Sequence, residues 1–289
     1  MKKIPCNNCN ATEFTHLYDK MSSKEETFSI VKCNHCGLVQ VNPQPSVQEV
    51  AKYYSNEYFM RRTDRGYNNY YSEASKKEIR RVFTLNLEDL RFFEWEHTRH
   101  FQEKRSLDIG CAAGYFVDFM QDRGWSAKGI DIAKEPVEFA SGTLGLDVIR
   151  DDFLQWDLQI TEKFDLITLW ASIEHLHQPR ETLEKIFRHL KPNGRLIVST
   201  CRYGILAAMQ GKEWRFMNVP EHLYYYTSHG LIEQMLSIGF QKQHHITYGS
   251  GMTGKAGSGW AYQFFKKIAD NLVKATDQGD MIAIVCSKP

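Results

Sequence analysis

Two cysteine pairs, Cys6-Asn7-Asn8-Cys9 and Cys33-Asn34-His35-Cys36, stand 23 residues apart near the start of this 289-residue chain. Each CxxC turn presents two thiolates, and two such turns complete the tetrahedral shell that zinc prefers. Four thiolates leave no open position, so an ion held there is structural. A second chemistry lies in two Glu-His pairs, Glu174-His175 and Glu221-His222. Histidine titrates near neutral pH and a nearby carboxylate stabilises its imidazolium, so both pairs offer a general base, His222 first and His175 second. His177, two residues beyond His175, ranks below both, and His244 and His245 read as structural. A third group is Leu107-Asp108-Ile109-Gly110-Cys111-Ala112-Ala113-Gly114, a strand-like run opening into a glycine-containing turn. Dinucleotide loops read G-x-G-x-x-G, with a middle glycine that admits a pyrophosphate. This loop lacks that glycine, which favours a nucleoside cofactor without phosphates.

These residues need a frame. From Arg105 the chain alternates strand and helix: strands at 105–109, 126–130, 147–150, 164–170 and 195–200, with helices at 115–123, 135–144 and 179–190 between them. Such alternation predicts a parallel sheet covered on both faces, with ligands at the carboxyl ends of its strands. Asp131 closes the second strand, where its two oxygens suit ribose hydroxyls; S-adenosylmethionine satisfies both this acid and the phosphate-free loop. Phe240 to Tyr248 and Met281 to Ser287 read as two last strands. Between them lie 249–259, five glycines in 11 residues and a candidate lid, and a helix from about Trp260 to Lys274. Thr227 or Ser228 caps a helix reaching Ile238. Around the cysteines, β-prone runs at 14–18, 28–32 and 38–41 outline a zinc ribbon that depends on its metal.

Two prolines, Pro43 and Pro45, end the ribbon. The connector that follows mixes a short helix at 47–54, tyrosines and arginines between Tyr53 and Tyr71, and amphipathic helices over 75–103. The interleaved tyrosines and arginines suit a substrate cap as well as they suit packing. The chain therefore divides into a zinc ribbon at 1–45, a helical connector at 46–104 and a cofactor-binding domain at 105–289. Hydrophobic residues make up 42% and charged residues 25%, with a net charge of +1, so no general attraction to nucleic acid follows. No apolar run reaches the roughly 20 residues that span a bilayer, and the lysines at the start precede no apolar segment; the expectation is a cytoplasmic protein with no membrane insertion. Oligomeric state is not legible.

Leu107 to Gly114 resembles the first motif of class I S-adenosylmethionine-dependent methyltransferases. Gly129-Ile130-Asp131-Ile132 resembles their second-strand acidic motif, and Asp151-Asp152-Phe153 the element after the third strand. Phe164 to Trp170, running on to Leu176, is similar to their fourth strand and its loop, and Leu190 to Leu196 to the turn into the fifth. The resemblance implies a Rossmann-like seven-stranded α/β sheet with helices on both faces. It implies that Asp108, Gly110, Cys111, Ala112, Gly114, Asp131, Ile132, Asp152, Phe153 and Trp170 line the cofactor site, with Asp152 toward the adenine amino group. Ala112 departs from the glycine common there. Glu221-His222 before an aromatic run is similar to bacterial sugar methyltransferases, some of which open with a four-cysteine zinc module. That implies a small acceptor, a sugar or nucleotide-linked sugar, with His222, Glu221 and His175 at the reacting end. An RNA methyltransferase gripping RNA through the ribbon is the alternative.

Overall fold

The computed structural model describes residues 1–54, 69–159, 161–252 and 259–289. Apolar runs from Arg105 onward form the expected sheet. Its strands are β4 (Arg105–Ile109), β5 (Ser126–Asp131), β6 (Val148–Arg150), β7 (Phe164–Trp170), β8 (Leu190–Cys201), β10 (Gln241–Tyr248) and β11 (Met281–Ser287). They stand in the order β10-β11-β8-β7-β4-β5-β6. β4 to β8 pair in parallel, while β11 runs antiparallel to β8 and β10 antiparallel to β11. Six of the seven residues of β7 are buried, as a central strand covered on both faces requires. Strand order reverses between β4 and β7, and open α/β sheets bind their ligands at the carboxyl ends of the strands flanking such a reversal.

Helices cover the sheet because their apolar residues recur on one face. In helix Pro179–His189, Pro179, Thr182, Leu183 and Ile186 are buried, the spacing of a single inward stripe. In helix Tyr115–Gln121, Phe116, Val117, Phe119 and Met120 are buried beside β5. Thr227 caps helix Ser228–Ile238 by accepting from the Gly230 N–H at 3.0 Å. The expected helix over 135–144 breaks into an α-helical turn, Lys134–Glu138, and a π-helical turn, Phe139–Thr143. There the Ser141 hydroxyl donates to the Val137 carbonyl at 2.8 Å, a side chain competing for the backbone ladder.

The ribbon strands β1 (Phe14–Met21), β2 (Thr27–Cys33) and β3 (Val39–Val41) form an antiparallel sheet, and a fourth strand joins it from the far end of the chain. This is β9, Tyr224–Tyr225, which pairs with β3 through Val39↔Tyr225 and Gln40↔Tyr224. Two residues carry no periodicity, so no sequence pattern announces it; the partner strand creates it. The helix Ile205–Gln210 is a second element without a sequence signal strong enough to find. Among the described residues no helix is long and apolar enough to cross a membrane.

Candidate active site and metal centre

The turn after β4 is held by β5. The Gly110 and Cys111 N–H groups donate to the Ile130 carbonyl at 2.8 and 3.3 Å, and the Gly114 N–H donates to the Cys111 carbonyl at 2.8 Å. The Ala112 N–H donates to Asp131 Oδ2 at 2.8 Å, and Asp131 Oδ1 accepts from the Ala133 N–H at 2.8 Å. These backbone donors are spent inside the protein, so the loop has little left to cradle a diphosphate. Gly110 lies at φ +71°, and a Cβ there would sit 2.5 Å from Ser172 Cβ. Ala112 holds φ +46°, a left-handed conformation that explains why glycine suits this position better.

Asp131 retains one lone pair on each oxygen after those two bonds, which is what a ribose diol needs. Ile132, beside it, exposes 57% of its surface, an apolar face open to an adenine ring. Asp108 is buried, accepts from the Thr168 hydroxyl at 2.6 Å, and is pushed up to about 7 by burial, with Asp131 adding to the rise. A cationic ammonium beside it would relieve that penalty. Ribose acceptors, an apolar cover and a buried carboxyl fit S-adenosylmethionine, a nucleoside with an amino-acid tail and no phosphate.

The remaining cofactor candidates divide. The Cys111 side chain points into the sheet, where a Cβ on Gly129 would meet its Sγ at 2.7 Å. Asp152 Oδ1 accepts from the Leu154 N–H at 2.8 Å and so caps its own turn, while remaining exposed. Phe153 is buried, with the Lys185 ammonium 4.9 Å from its ring centre. Trp170 packs on Phe83 and Phe116 at 5.1 and 5.3 Å between ring centres.

At the same edge of the sheet, between β7, β8 and β9, one acid and two imidazoles converge. A carboxylate oxygen of Glu174 and a ring nitrogen from each of His175 and His222 all lie within 4.8 Å of one another. The His175 and His222 rings meet edge-on, 4.7 Å apart. Glu174 and His222 are each 2% exposed, and Glu174 accepts from the Thr200 hydroxyl at 2.8 Å. His175 Nδ1 lies 2.7 Å from the Glu221 carbonyl and 2.9 Å from the Tyr54 hydroxyl. A carbonyl only accepts, so Nδ1 carries the proton of the neutral ring and Nε2 keeps its lone pair. His222 Nδ1 is 3.7 Å from Cys201 Sγ.

The sequence pairs His222 with its neighbour Glu221, but the carboxylate grouped with both imidazoles is Glu174. Glu221 contributes its backbone carbonyl to His175. Adjacency in sequence had placed Glu174 only beside His175, and Tyr54 had no signal beyond its tyrosine-rich context. His177 bonds the Pro45 carbonyl through Nε2 at 3.1 Å, and burial holds its pKa below the ordinary value; it ties the end of the cysteine-bearing segment to the core. Arg61, Arg62, Arg65, Tyr58 and Tyr67 of the expected cap lie outside the described residues, as does the middle of the 249–259 candidate lid.

In the ribbon, the Cys6, Cys9, Cys33 and Cys36 sulfurs all lie within 4.8 Å of one another, with Cys6–Cys36 at 3.4 Å and Cys9–Cys33 at 3.6 Å. Zinc–sulfur bonds of ~2.3 Å place tetrahedral sulfurs ~3.8 Å apart, so the four thiols match that shell. The first knuckle faces protein. Asn8 Nδ2 donates to the Gly230 carbonyl at 3.1 Å, and Gln234 Nε2 donates to the Asn7 carbonyl at 3.2 Å.

A family model described as a methyltransferase domain matches residues 76–245, more than half of the chain. The chain belongs to the class I S-adenosylmethionine-dependent methyltransferases. Similar proteins include the mitochondrial ubiquinone biosynthesis O-methyltransferase of Schizosaccharomyces pombe, 32% identical over 38% of this chain and 42% of that one. The ubiquinone biosynthesis O-methyltransferase of Vibrio atlanticus is 30% identical over 52% of this methyltransferase and 65% of its own length. Both are thus matched over less than two thirds of their length. Solved structures of similar fold include the [4+2]-cyclase SpnF, with TM-score 0.57 and 19% identity over 85% of this chain and 97% of that one. An Archaeoglobus fulgidus S-adenosylmethionine-dependent methyltransferase has TM-score 0.52 and 16% identity over 74% and 95%. At these identities the structures establish the fold of the methyltransferase and nothing of its acceptor.

Proposed function

We propose that this methyltransferase alkylates a small-molecule acceptor whose hydroxyl or acidic carbon must lose a proton, with His222 as the base. The observation that carries the reading is the Glu174–His175–His222 cluster at the edge where cofactor and acceptor must meet. S-adenosylmethionine supplies an electrophilic methyl group whose leaving sulfur needs no protonation. The protein therefore has to align the acceptor in line with that methyl and accept one proton. Burial strengthens the attraction between the Glu174 carboxylate and an imidazolium forming at His222. His175, oriented by the Glu221 carbonyl and Tyr54, packs edge-on against His222. Among the described residues the buried Tyr225 and Tyr226 hydroxyls lack hydrogen-bond partners, and the Tyr225 ring lies 6.1 Å from His222, so a donor is in reserve beside the proposed base.

For the acceptor we favour a sugar or nucleotide-linked sugar. The support is the combination of a four-cysteine module, a Glu-His pair and an aromatic run. A phenol of the kind implied by ubiquinone biosynthesis is the second reading, supported by the two named relatives. The RNA reading is disfavoured because the first knuckle docks on helix Ser228–Ile238. We assign the four cysteines a structural zinc. Its role is to fix β3, which pairs with β9 and so sets where Glu221 and His222 begin.

The test is transfer of a labelled methyl group to nucleotide sugars, to catechol-type phenols and to RNA. Transfer to a sugar that disappears in His222→Ala is expected; transfer to RNA alone, or undiminished turnover in that variant, defeats the proposal. Metal analysis should give one zinc per chain, and its removal should lower turnover before it lowers cofactor affinity.

A further inference from the structure

The helix Trp260–Ala275 joins β10 to β11 and is apolar on its outer side. Trp260 exposes 84% of its surface, Phe265 64%, Leu272 61%, Phe264 57% and Ile268 48%. Its inner side is already used: Tyr262, Lys266, Ala269, Asp270 and Val273 are half-buried, and Asp270 Oδ1 accepts from the Ser250 hydroxyl at 2.5 Å. Aromatic side chains carry ~150–250 Å² each, so the five outer residues leave on the order of 600 Å² of contiguous apolar surface. That is at the upper end of the ~300–600 Å² found for the largest patch on a monomer.

We infer that this face is where two copies of the chain meet, through an antiparallel crossing of the two helices. Two such patches together remove roughly 1,200 Å², the lower bound of a standard-size specific interface. Trp260, Phe264, Ile268 and Leu272 recur every fourth residue, the ridge that packs into the matching groove of an identical helix. A two-fold crossing centred on residue 266 sets Trp260 against Leu272 and Phe264 against Ile268, a larger side chain against a smaller one each time. This is the self-complementarity an isologous contact demands. A bilayer is the poorer occupant. Helices that lie on anionic lipid carry a band of free cations, whereas here Lys266 is bridged to Asp270 and Lys274 to Asp89, so among the described lysines of the helix Lys267 alone adds an exposed charge outside an ion pair. The net charge of +1 sets up little repulsion between copies.

Sedimentation of the full chain tests this. At about 10 µM the wild type is expected to sediment as a dimer, and Phe264→Glu/Ile268→Glu as a monomer with the same circular dichroism and the same affinity for the demethylated cofactor. A readout independent of those variants is tryptophan emission on dilution, which should shift to the red in the wild type and not in Trp260→Phe. A wild type that stays monomeric at about 100 µM overturns the inference. A dimer that survives both glutamates puts the interface elsewhere and also overturns it. Monomers that co-sediment with phosphatidylglycerol vesicles replace the second copy with a bilayer.

Discussion

The proposed cofactor end and the proposed acceptor end of this methyltransferase lie at the same carboxyl edge of one sheet, yet they are assembled in opposite ways. The cofactor end is local. Gly110 to Gly114 and Asp131 belong to two adjacent parallel strands, and their backbone bonds run directly from one loop to the other. The acceptor end is remote. Tyr54 and Glu221 stand 167 residues apart in the chain, and both reach His175. β9 then ties this region to the ribbon through β3. On the proposed assignment, cofactor binding is a property of one βαβ unit, whereas acceptor chemistry is a property of how three segments dock. The two ends should respond differently to damage.

The sharpest separation is expected from Gly110→Ala against His222→Ala. In Gly110→Ala the new methyl meets Ser172 at 2.5 Å in a left-handed backbone, so stability should fall by about 2–4 kcal/mol and cofactor binding should be lost. In His222→Ala the cofactor affinity should stay as it was, while kcat falls about 10²–10⁴-fold, the range for a lost general base. Calorimetric titration with the demethylated cofactor and single-turnover rates separate the two; equal loss of affinity in both variants would break the comparison.

A smaller effect belongs to Asp108. Burial raises this carboxyl to about 7, so the folded protein holds a proton that the unfolded chain releases near pH 4. Stability therefore falls as pH rises from about 4 to about 7, and the deficit is complete above that. A bound ammonium reverses the penalty, so cofactor affinity should climb up to about tenfold per pH unit toward pH 7 and then level off. Asp108→Asn should flatten that profile without touching the acceptor side. Smallest of all, Ala112→Gly should relieve the left-handed strain at φ +46° and raise stability by less than about 1 kcal/mol, since glycine also costs entropy on folding. Thermal denaturation would detect it, and a destabilised variant would mean the loop tolerates alanine better than its backbone indicates.

Much of this molecule is legible in its sequence. Alternating strand and helix patterns marked β4 to β8 because each apolar run lies within a few consecutive residues and is bounded by its own turn signals. The four cysteines were found by spacing, and they converge within 4.8 Å because two turns and one hairpin are enough to bring them together. The acid at the end of β5 was legible for the same reason, as a motif that two neighbouring strands complete. Asp152 and Trp170 were legible only as motif positions. Tertiary structure gives Asp152 a turn-capping bond and packs Trp170 against Phe83 and Phe116.

What the sequence by itself determined was the methyltransferase sheet, its phosphate-free loop and the set of histidines from which the proposed base is drawn. What only tertiary structure decided was the company those histidines keep. Glu174, not Glu221, joins His175 and His222, and Tyr54 reaches in from the connector. The reason is physical. Hydrophobic periodicity encodes which face of an element is buried, but side chains meet across elements only after packing fixes their separation. A two-residue strand such as β9 exists only because β3 is there to pair with it.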